Sequence, residues 1–231
     1  MDSLRRNQLV WLDPVAWAQI ETRIWDVQAQ AILVHWRAQR LPLVVCRQRP
    51  QTPPDQLCVG LPAPKQWSRR RLALTVRLEH LTKCEEFPVL FQVAQAHQWW
   101  ASALELSAAL TALGVQAHVY GSHGWQWLTG LAYLHEASDL DLSVAVNSLE
   151  VASQVVKQLA STALDCRIDG EIVFPQGQAI AWRELQQLLQ GQTSQLLVKD
   201  LRTVRLADLA EVRRLGSITP VVKPEAVMFF S

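Results

Sequence analysis

The sequence predicts an α+β protein, with a small N-terminal α+β module over residues 1–85 and a mixed sheet with flanking helices over residues 95–215. Three observations lead there. The first 80 or so residues combine a helical apolar period with a stretch of strict alternation. The segment HLTKCEEFPVLFQ then shows no period and carries a proline, which places a boundary near 82–95. Beyond it, short strands and helices follow one another with clear punctuation and no internal repeat.

Taken in order, Asp13-Pro14 has the form of a helix N-cap followed by proline in the first turn. Trp17, Ile20, Ile24, Val27, Ala31 and Val34 then recur at helical spacing, which predicts a helix over 14–39, broken at most once. A strand in PLVVCRQR, a proline-rich loop (RPQTPPDQLCVGLPAP) and a second strand follow. In that strand Leu72, Leu74, Val76 and Leu78 alternate with Arg71, Thr75, Arg77 and Glu79, giving one buried and one wet face. Past the boundary, a helix over 96–113 ends at Gly114 and feeds the strand QAHVYGS. A short helix in GWQWLTG precedes the strand DLDLSVAV. Asn147 with Glu150 reads as a capping box for a helix through Ala163. The strand DCRIDGEIVF turns at PQG into QAIAW, and a helix (RELQQLLQ), a strand (SQLLVKD) and a charged tail complete the chain.

Composition excludes several classes. With 22 basic and 21 acidic residues among 231, the net charge of +1 provides no field to draw the chain to nucleic acid or to an anionic membrane. Cys46, Cys58, Cys84 and Cys166 stand far apart with no CxxC pair, which argues for reduced, largely buried thiols and against a zinc site or disulfide framework. The N-terminus lacks the apolar run of a signal peptide and no segment approaches the ~18 apolar residues of a membrane span, so a cytoplasmic protein is expected.

The chemistry is concentrated in a few residues. Asp139 and Asp141 lie two apart in a run otherwise apolar, and a buried carboxylate without a partner costs several kcal/mol. On a strand they share a face, about 6.5–7 Å apart, close enough to ligate one Mg²⁺ or to straddle two ions. Arg167, Asp169 and Glu171 likewise share a face of the strand 165–173, so a third carboxylate joins the pair if the two strands are neighbours. Tyr120-Gly121-Ser122 closes a strand at the start of a helix, where glycine admits close backbone approach, the hydroxyl reaches a phosphate oxygen and free N–H groups point outward. Strand, Gly-Ser, helix, then a strand with D-x-D is the order of the nucleotidyltransferase superfamily. The plainer alternatives are an Asp pair that neutralises Arg167 and a Gly-Ser that only turns the chain. His123, His135 and Glu136 are ligands by type but lack ligand spacing, and read as solvated or satisfied. Trp99, Trp100, Trp125 and Trp127 offer stacking surfaces for an adenine, although core packing accounts for them as well. Arg47, Arg49, Lys65 and Arg69 to Arg71 are either a solvated face or a docking surface for an acidic partner.

The 17-residue step from Ser122 to Asp139 is long for the superfamily at large and fits one family within it. VYGSHGWQWLTGLAYLHEASDLDL, RIDGEIVFPQGQAIAWREL and LLVKDLRTVRL resemble the phosphoribosyl-dephospho-CoA transferases, the holo-(acyl-carrier-protein) synthases that mature malonate decarboxylase. NQLVWLDPVAW and GLPAPKQWSRRRLAL resemble that family's N-terminal domain, so the likeness covers nearly the whole chain. The resemblance implies a nucleotidyltransferase-like fold. It also implies transfer of the phosphoribosyl-dephospho-CoA part of 2′-(5″-triphosphoribosyl)-3′-dephospho-CoA to a serine of the malonate decarboxylase acyl carrier subunit, with release of pyrophosphate. Asp139 and Asp141 fall on the family's D-x-D as metal ligands, for one or two Mg²⁺ ions, and Gly121 and Ser122 on its phosphate turn. Asp169 and Glu171 both sit in the matching DGEI segment; Asp169 is taken as the third ligand and Glu171 as a substrate contact. Lys199, at a strand end, is a candidate for the phosphates. The competing readings are the same fold serving another acceptor and a non-catalytic assembly factor.

Overall fold

The computed structural model describes residues 4–217 except 96, 98 and 99; of Trp100 it describes the backbone only. The chain opens with β1 (Leu9–Leu12), whose Leu9 and Val10 are buried. Asp13 then caps α1 (Pro14–Glu21), its carboxylate accepting the Ala16 N–H at 2.8 Å. Asp26 does the same for α2 (Val27–Ala38), accepting from Ala29 at 3.0 Å. The expected helix over 14–39 is therefore two helices, and the break resets its phase. Ala29, Ile32, Leu33 and Trp36 face inward from α2, whereas Ile24, Val27 and Val34, counted on a single helical stripe, are exposed.

Four more strands, β2 (Leu43–Val45), β3 (Gln56–Pro62), β4 (Arg71–Arg77) and β5 (Leu81–Glu85), complete an antiparallel sheet of order β4-β3-β2-β1-β5. β3 corrects the reading of a proline-rich loop: Leu57, Val59 and Leu61 are buried in strict alternation, Pro50, Pro53 and Pro54 precede the strand, and Pro62 is its last residue. β5 was hidden because it is an edge strand in which Leu81 alone is buried. For the same reason Cys84, on this edge, is exposed; Cys46, Cys58 and Cys166 are half-buried, so the four thiols are free but less buried than expected.

The second half contains α3 (Leu90–Ala94), α4 (Trp100–Ala112), β6 (Ala117–Tyr120), α5 (Gly121–Thr129), β7 (Leu140–Ala145) and α6 (Leu149–Ser161). Then come β8 (Ile168–Val173), β9 (Ala179–Ala181), α7 (Trp182–Leu189), β10 (Leu196–Lys199), β11 (Val204–Ala207) and α8 (Leu209–Leu215). Ser148, not Asn147, caps α6, accepting the Val151 N–H at 3.2 Å. The described part of the charged tail, through Ser217, forms β11 and α8, the latter opened by a reciprocal Asp208–Glu211 box. The six strands run β11-β10-β9-β8-β7-β6, with β7 and β8 parallel across the α6 connection and all other pairs antiparallel. This mixed sheet, with the antiparallel one before it, is the expected α+β class.

The two faces of the mixed sheet differ sharply. Leu140, Leu142, Val144, Ile168, Ile172, Ile180 and Val198 form one face and are buried in a core with Leu106, Leu110, Val155, Leu185 and Val212 from the helices. The opposite face carries Tyr120, Asp141 and Asp169, aligned across three strands, with Glu171 two residues beyond Asp169. The N-terminal half covers this side. Trp125 of α5 packs into the N-terminal core, 6.3 Å from Trp36 and 5.5 Å from Phe87 between ring centroids, and Tyr133 stacks on it at 6.4 Å. Each buried aromatic contributes about 1.5–3 kcal/mol by removal from water. Backbone and hydroxyl groups complete the join: Tyr133 Oη donates to the Pro62 carbonyl at 2.7 Å, Lys65 N to Ala132 O at 3.0 Å and Gln48 N to Leu201 O at 2.8 Å. Among the described residues, no helix is long and apolar enough to cross a membrane.

Candidate active site

The parallel register of β7 and β8 sets Asp141 directly beside Asp169 and Ser143 beside Glu171. The strands bearing the two acidic motifs are thus neighbours, as the carboxylate argument required. Gly170 makes this pairing possible: it has φ +132°, and a Cβ there would lie 1.9 Å from the Leu142 carbonyl oxygen. Asp139 stands just before β7, after a turn in which Ser138 Oγ accepts the His135 N–H at 2.9 Å. On the other flank Tyr120 is paired with Asp141, and the chain turns at once into α5. Gly121 adopts φ +62°, and a Cβ on it would fall 1.9 Å from Asp141 Oδ2. The backbone of the Gly-Ser turn therefore lies against the Asp141 carboxylate. No side chain caps α5, whose first turn, including half-buried Ser122, begins beside the acids; the first N–H groups of a helix lack intrahelical acceptors and suit an anion.

Charge is unevenly met in this cluster. Asp141 is pushed up to about 6, first by desolvation and then by repulsion from Asp169 and Asp139, against which the Arg167 guanidinium acts weakly. Asp139 is held below the usual carboxylate range, chiefly by its hydrogen bonds from Arg167. Arg167 Nε donates to Asp139 Oδ1 at 3.0 Å, Nη2 bonds Asp139 Oδ2, and the same Nη2 reaches Asp169 Oδ2 at 3.3 Å. Glu171 is only 7% exposed and is met by Arg6 and Lys199, each at 3.2 Å, and by Asn7 Nδ2 at 3.4 Å.

The donors Asp139, Asp141 and Asp169 are hard oxygens, and the unneutralised charge at Asp141 is of the kind a divalent cation relieves, so the set fits Mg²⁺ by type. As the side chains stand, no three His, Cys, Asp or Glu groups among the described residues are gathered about one metal position. Arg167 instead holds Asp139 and Asp169.

The remaining sequence candidates are dispersed. His123 is buried behind the turn, 3.4 Å from His97, and desolvation with the nearby His97 lowers it to about 4. His135 and Glu136 are exposed, as expected of solvated groups. Trp125 is a core residue and Trp127 is 45% exposed, whereas the side chains of Trp99 and Trp100 lie outside the described residues. In the basic segment Arg70 is engaged by Asp26 at 2.5 Å, and Lys65, Arg69 and Arg71 are exposed. Sequence reasoning missed Arg6 altogether. It lies 165 positions from Glu171, and only its place just before an unassigned strand marked it.

Comparison with known proteins identifies the family of the chain. Residues 89–210 match the family described as phosphoribosyl-dephospho-CoA transferase MdcG C-terminal domain, and residues 5–87 match its N-terminal domain. The chain is 33% identical over 208 residues to the phosphoribosyl-dephospho-CoA transferase of Bradyrhizobium diazoefficiens, spanning 88% of this chain and 89% of that protein. It is 36% identical over 200 residues to the protein of the same name in Xanthomonas campestris pv. campestris (84% and 89% of the two chains). It is 34% identical over 211 residues to that of Xanthomonas axonopodis pv. citri (87% and 92%). No solved structure matches the chain at a significant level. With both halves matched in order and relatives spanning nearly its whole length, the chain belongs to the phosphoribosyl-dephospho-CoA transferase family.

Proposed function

We propose that this protein transfers phosphoribosyl-dephospho-CoA from 2′-(5″-triphosphoribosyl)-3′-dephospho-CoA to a serine of the malonate decarboxylase acyl carrier subunit, releasing pyrophosphate. On this reading residues 1–85 form an N-terminal domain and 95–215 a nucleotidyltransferase-like catalytic domain. The observation that carries the proposal is the contact between the Gly121 backbone and Asp141, which puts an uncapped helix N-terminus beside three carboxylates. Such a site receives a polyphosphate on one side and needs a cation on the other.

Asp139, Asp141 and Asp169 would hold one or two Mg²⁺ ions. When bound, the metal supplies charge neutralisation at the reacting phosphate and its leaving group. The protein groups do the rest. The first N–H groups of α5 and Ser122 Oγ orient phosphate oxygens. The carrier serine oxygen forms the new bond to the α-phosphorus, the bond from that phosphorus to the bridging oxygen breaks, and pyrophosphate leaves with that oxygen. The serine proton passes to solvent. On this reading Ser122 serves as a phosphate ligand and not as a nucleophile, and transfer is a single in-line displacement without a covalent enzyme intermediate.

Incubating the protein with Mg²⁺, labelled substrate and the carrier, then weighing the products, tests the reading. The expected result is a carrier heavier by one phosphoribosyl-dephospho-CoA group and one pyrophosphate released per transfer. An unmodified carrier under saturating substrate refutes it, and stoichiometric label on Ser122 without carrier replaces the one-step mechanism with two. A second reading rests on Arg167, which bridges Asp139 and Asp169 as a structural ion pair would. A non-catalytic assembly factor on the same fold would bind the carrier and leave the substrate intact in this assay.

A further inference from the structure

The mixed sheet's polar face holds a second charged cluster that the carboxylate and Gly-Ser chemistry does not use. Glu171 is buried, and its two oxygens meet Arg6 Nη2 at 3.2 Å each, while Lys199 Nζ reaches Oε1 at 3.2 Å. The register explains how Lys199 gets there. Glu171 pairs with Ala181 and Val173 with Ala179 across β8 and β9, and Ala179 in turn pairs with Lys199 of β10. β9 thus presents only alanines on this face, and the lysine extends over them to the glutamate. Arg6 arrives from the other half of the chain, on a segment held by the Arg5–Glu86 ion pair at 2.7 Å and by Gln8 Nε2 donating to Glu86 at 2.7 Å.

A buried carboxylate is neutralised by one cation, and the second is in excess. Arg6 and Lys199 around a single Glu171 leave one net positive charge, two residues along β8 from Asp169, or about 6.5–7 Å between Cα atoms. Both cations retain partial exposure, with side chains 18% and 30% accessible. A spare positive charge at that distance from the acidic cluster suits the distal phosphates of a chain whose reacting end lies at Asp141 and Asp169. The Arg fork and the Lys ammonium also match phosphate oxygens.

We infer that Arg6 and Lys199 form a polyphosphate subsite that holds the leaving end of the substrate's triphosphate, with Glu171 as the residue that positions both cations. The N-terminal half thereby supplies a side chain to the site in the C-terminal half. The inference rests on the proposed transfer reaction for its substrate, but its test needs neither carrier nor turnover. Inorganic tripolyphosphate is titrated calorimetrically into the full-length protein with Mg²⁺ present. Wild type is expected to bind it, Arg6→Ala and Lys199→Ala each to weaken binding at least tenfold, Arg6→Lys to recover part of the loss, and Lys83→Ala, on the edge strand, to match wild type. Because Arg6→Ala leaves a buried glutamate with one cation fewer, the double variant Arg6→Ala/Glu171→Gln is measured alongside; it frees Lys199 but lacks the Arg fork, and is expected to bind more weakly than wild type. Unchanged affinity in a folded Arg6→Ala or double variant would make Arg6 a latch between the halves and overturn the inference. So would wild type that fails to bind tripolyphosphate, or orthophosphate that competes equally well. A protein that binds tripolyphosphate through Arg6 and yet transfers nothing to the carrier refutes the proposed function and leaves this subsite standing; normal turnover in Arg6→Ala does the reverse.

Discussion

Gly121→Ala separates the fold's need for a turn from the site's need for an undisturbed Asp141. Two effects add. A Cβ at φ +62° costs about 1–2 kcal/mol in the left-handed region, and it would fall 1.9 Å from Asp141 Oδ2 and 2.8 Å from its Cγ. The second effect is relieved by turning the Asp141 side chain away, because the nearest atoms are the far end of a side chain and not backbone. Two other glycines calibrate the result. At Gly114, with φ +74° and no atom within 4 Å, alanine adds the backbone effect alone, a loss of ~1–2 kcal/mol or roughly 2–8 °C in Tm. At Gly170 the new Cβ meets the Leu142 backbone at 1.9 Å and 2.6 Å, so β7 and β8 must part and the chain should not fold. Gly121→Ala is expected to fold, to lose about 1–3 kcal/mol more than Gly114→Ala, and to abolish transfer. Urea unfolding of Gly121→Ala, Asp141→Ala and the double variant checks this. In the Asp141→Ala background the cost of Gly121→Ala should fall toward that of Gly114→Ala, leaving only the 3.1 Å approach to the Cβ of residue 141. An equal cost with and without the Asp141 carboxylate, or near wild-type turnover in Gly121→Ala, refutes the reasoning.

If the proposed metal site is right, Asp139→Asn and Asp141→Asn should each reduce turnover by more than tenfold under saturating Mg²⁺, since loss of a metal ligand removes several kcal/mol of transition-state stabilisation. In the absence of metal Asp141→Asn should be as stable as wild type or slightly more so, because desolvation and its carboxylate neighbours penalise the charge; a clear drop in its urea midpoint would contradict this. Asp169→Asn should abolish transfer. Glu171→Gln should raise KM for the triphosphate substrate with a smaller effect on kcat, and equal, mild effects of the two would remove β8 from the site. His123 gives a pH signature. Its folded pKa of about 4 lies below the ordinary histidine value, so the unfolded chain binds more protons between the two. Its contribution is complete above pH ~6.5 and is lost as pH falls toward 4, by up to about 2 kcal/mol between pH 7 and 5. Urea midpoints at those two pH values should converge in His123→Gln, and an unaltered slope would place the acid sensitivity elsewhere.

What the sequence determined by itself is local. Alternation and helical period depend on residues within one or two turns, so Leu72, Leu74 and Val76 announced β4, Asp13-Pro14 announced α1, and the acidic pairs announced a site that needs positive charge. β3 was lost to the prolines before it and at its end, and β5 to its edge position, because an edge strand buries too few side chains to leave a period. Asp141 beside Asp169 required β7 and β8 to be adjacent, which only the parallel crossover through α6 decides. The partner of Asp139 was open in the sequence; folding places Arg167 on it. Arg6 and Glu171, 165 positions apart, meet because the N-terminal half docks on the polar face of the mixed sheet through Trp36, Trp125 and Tyr133. No local pattern encodes such a contact. It forms because burying those aromatics is favourable, and the charged groups meet where that packing leaves them.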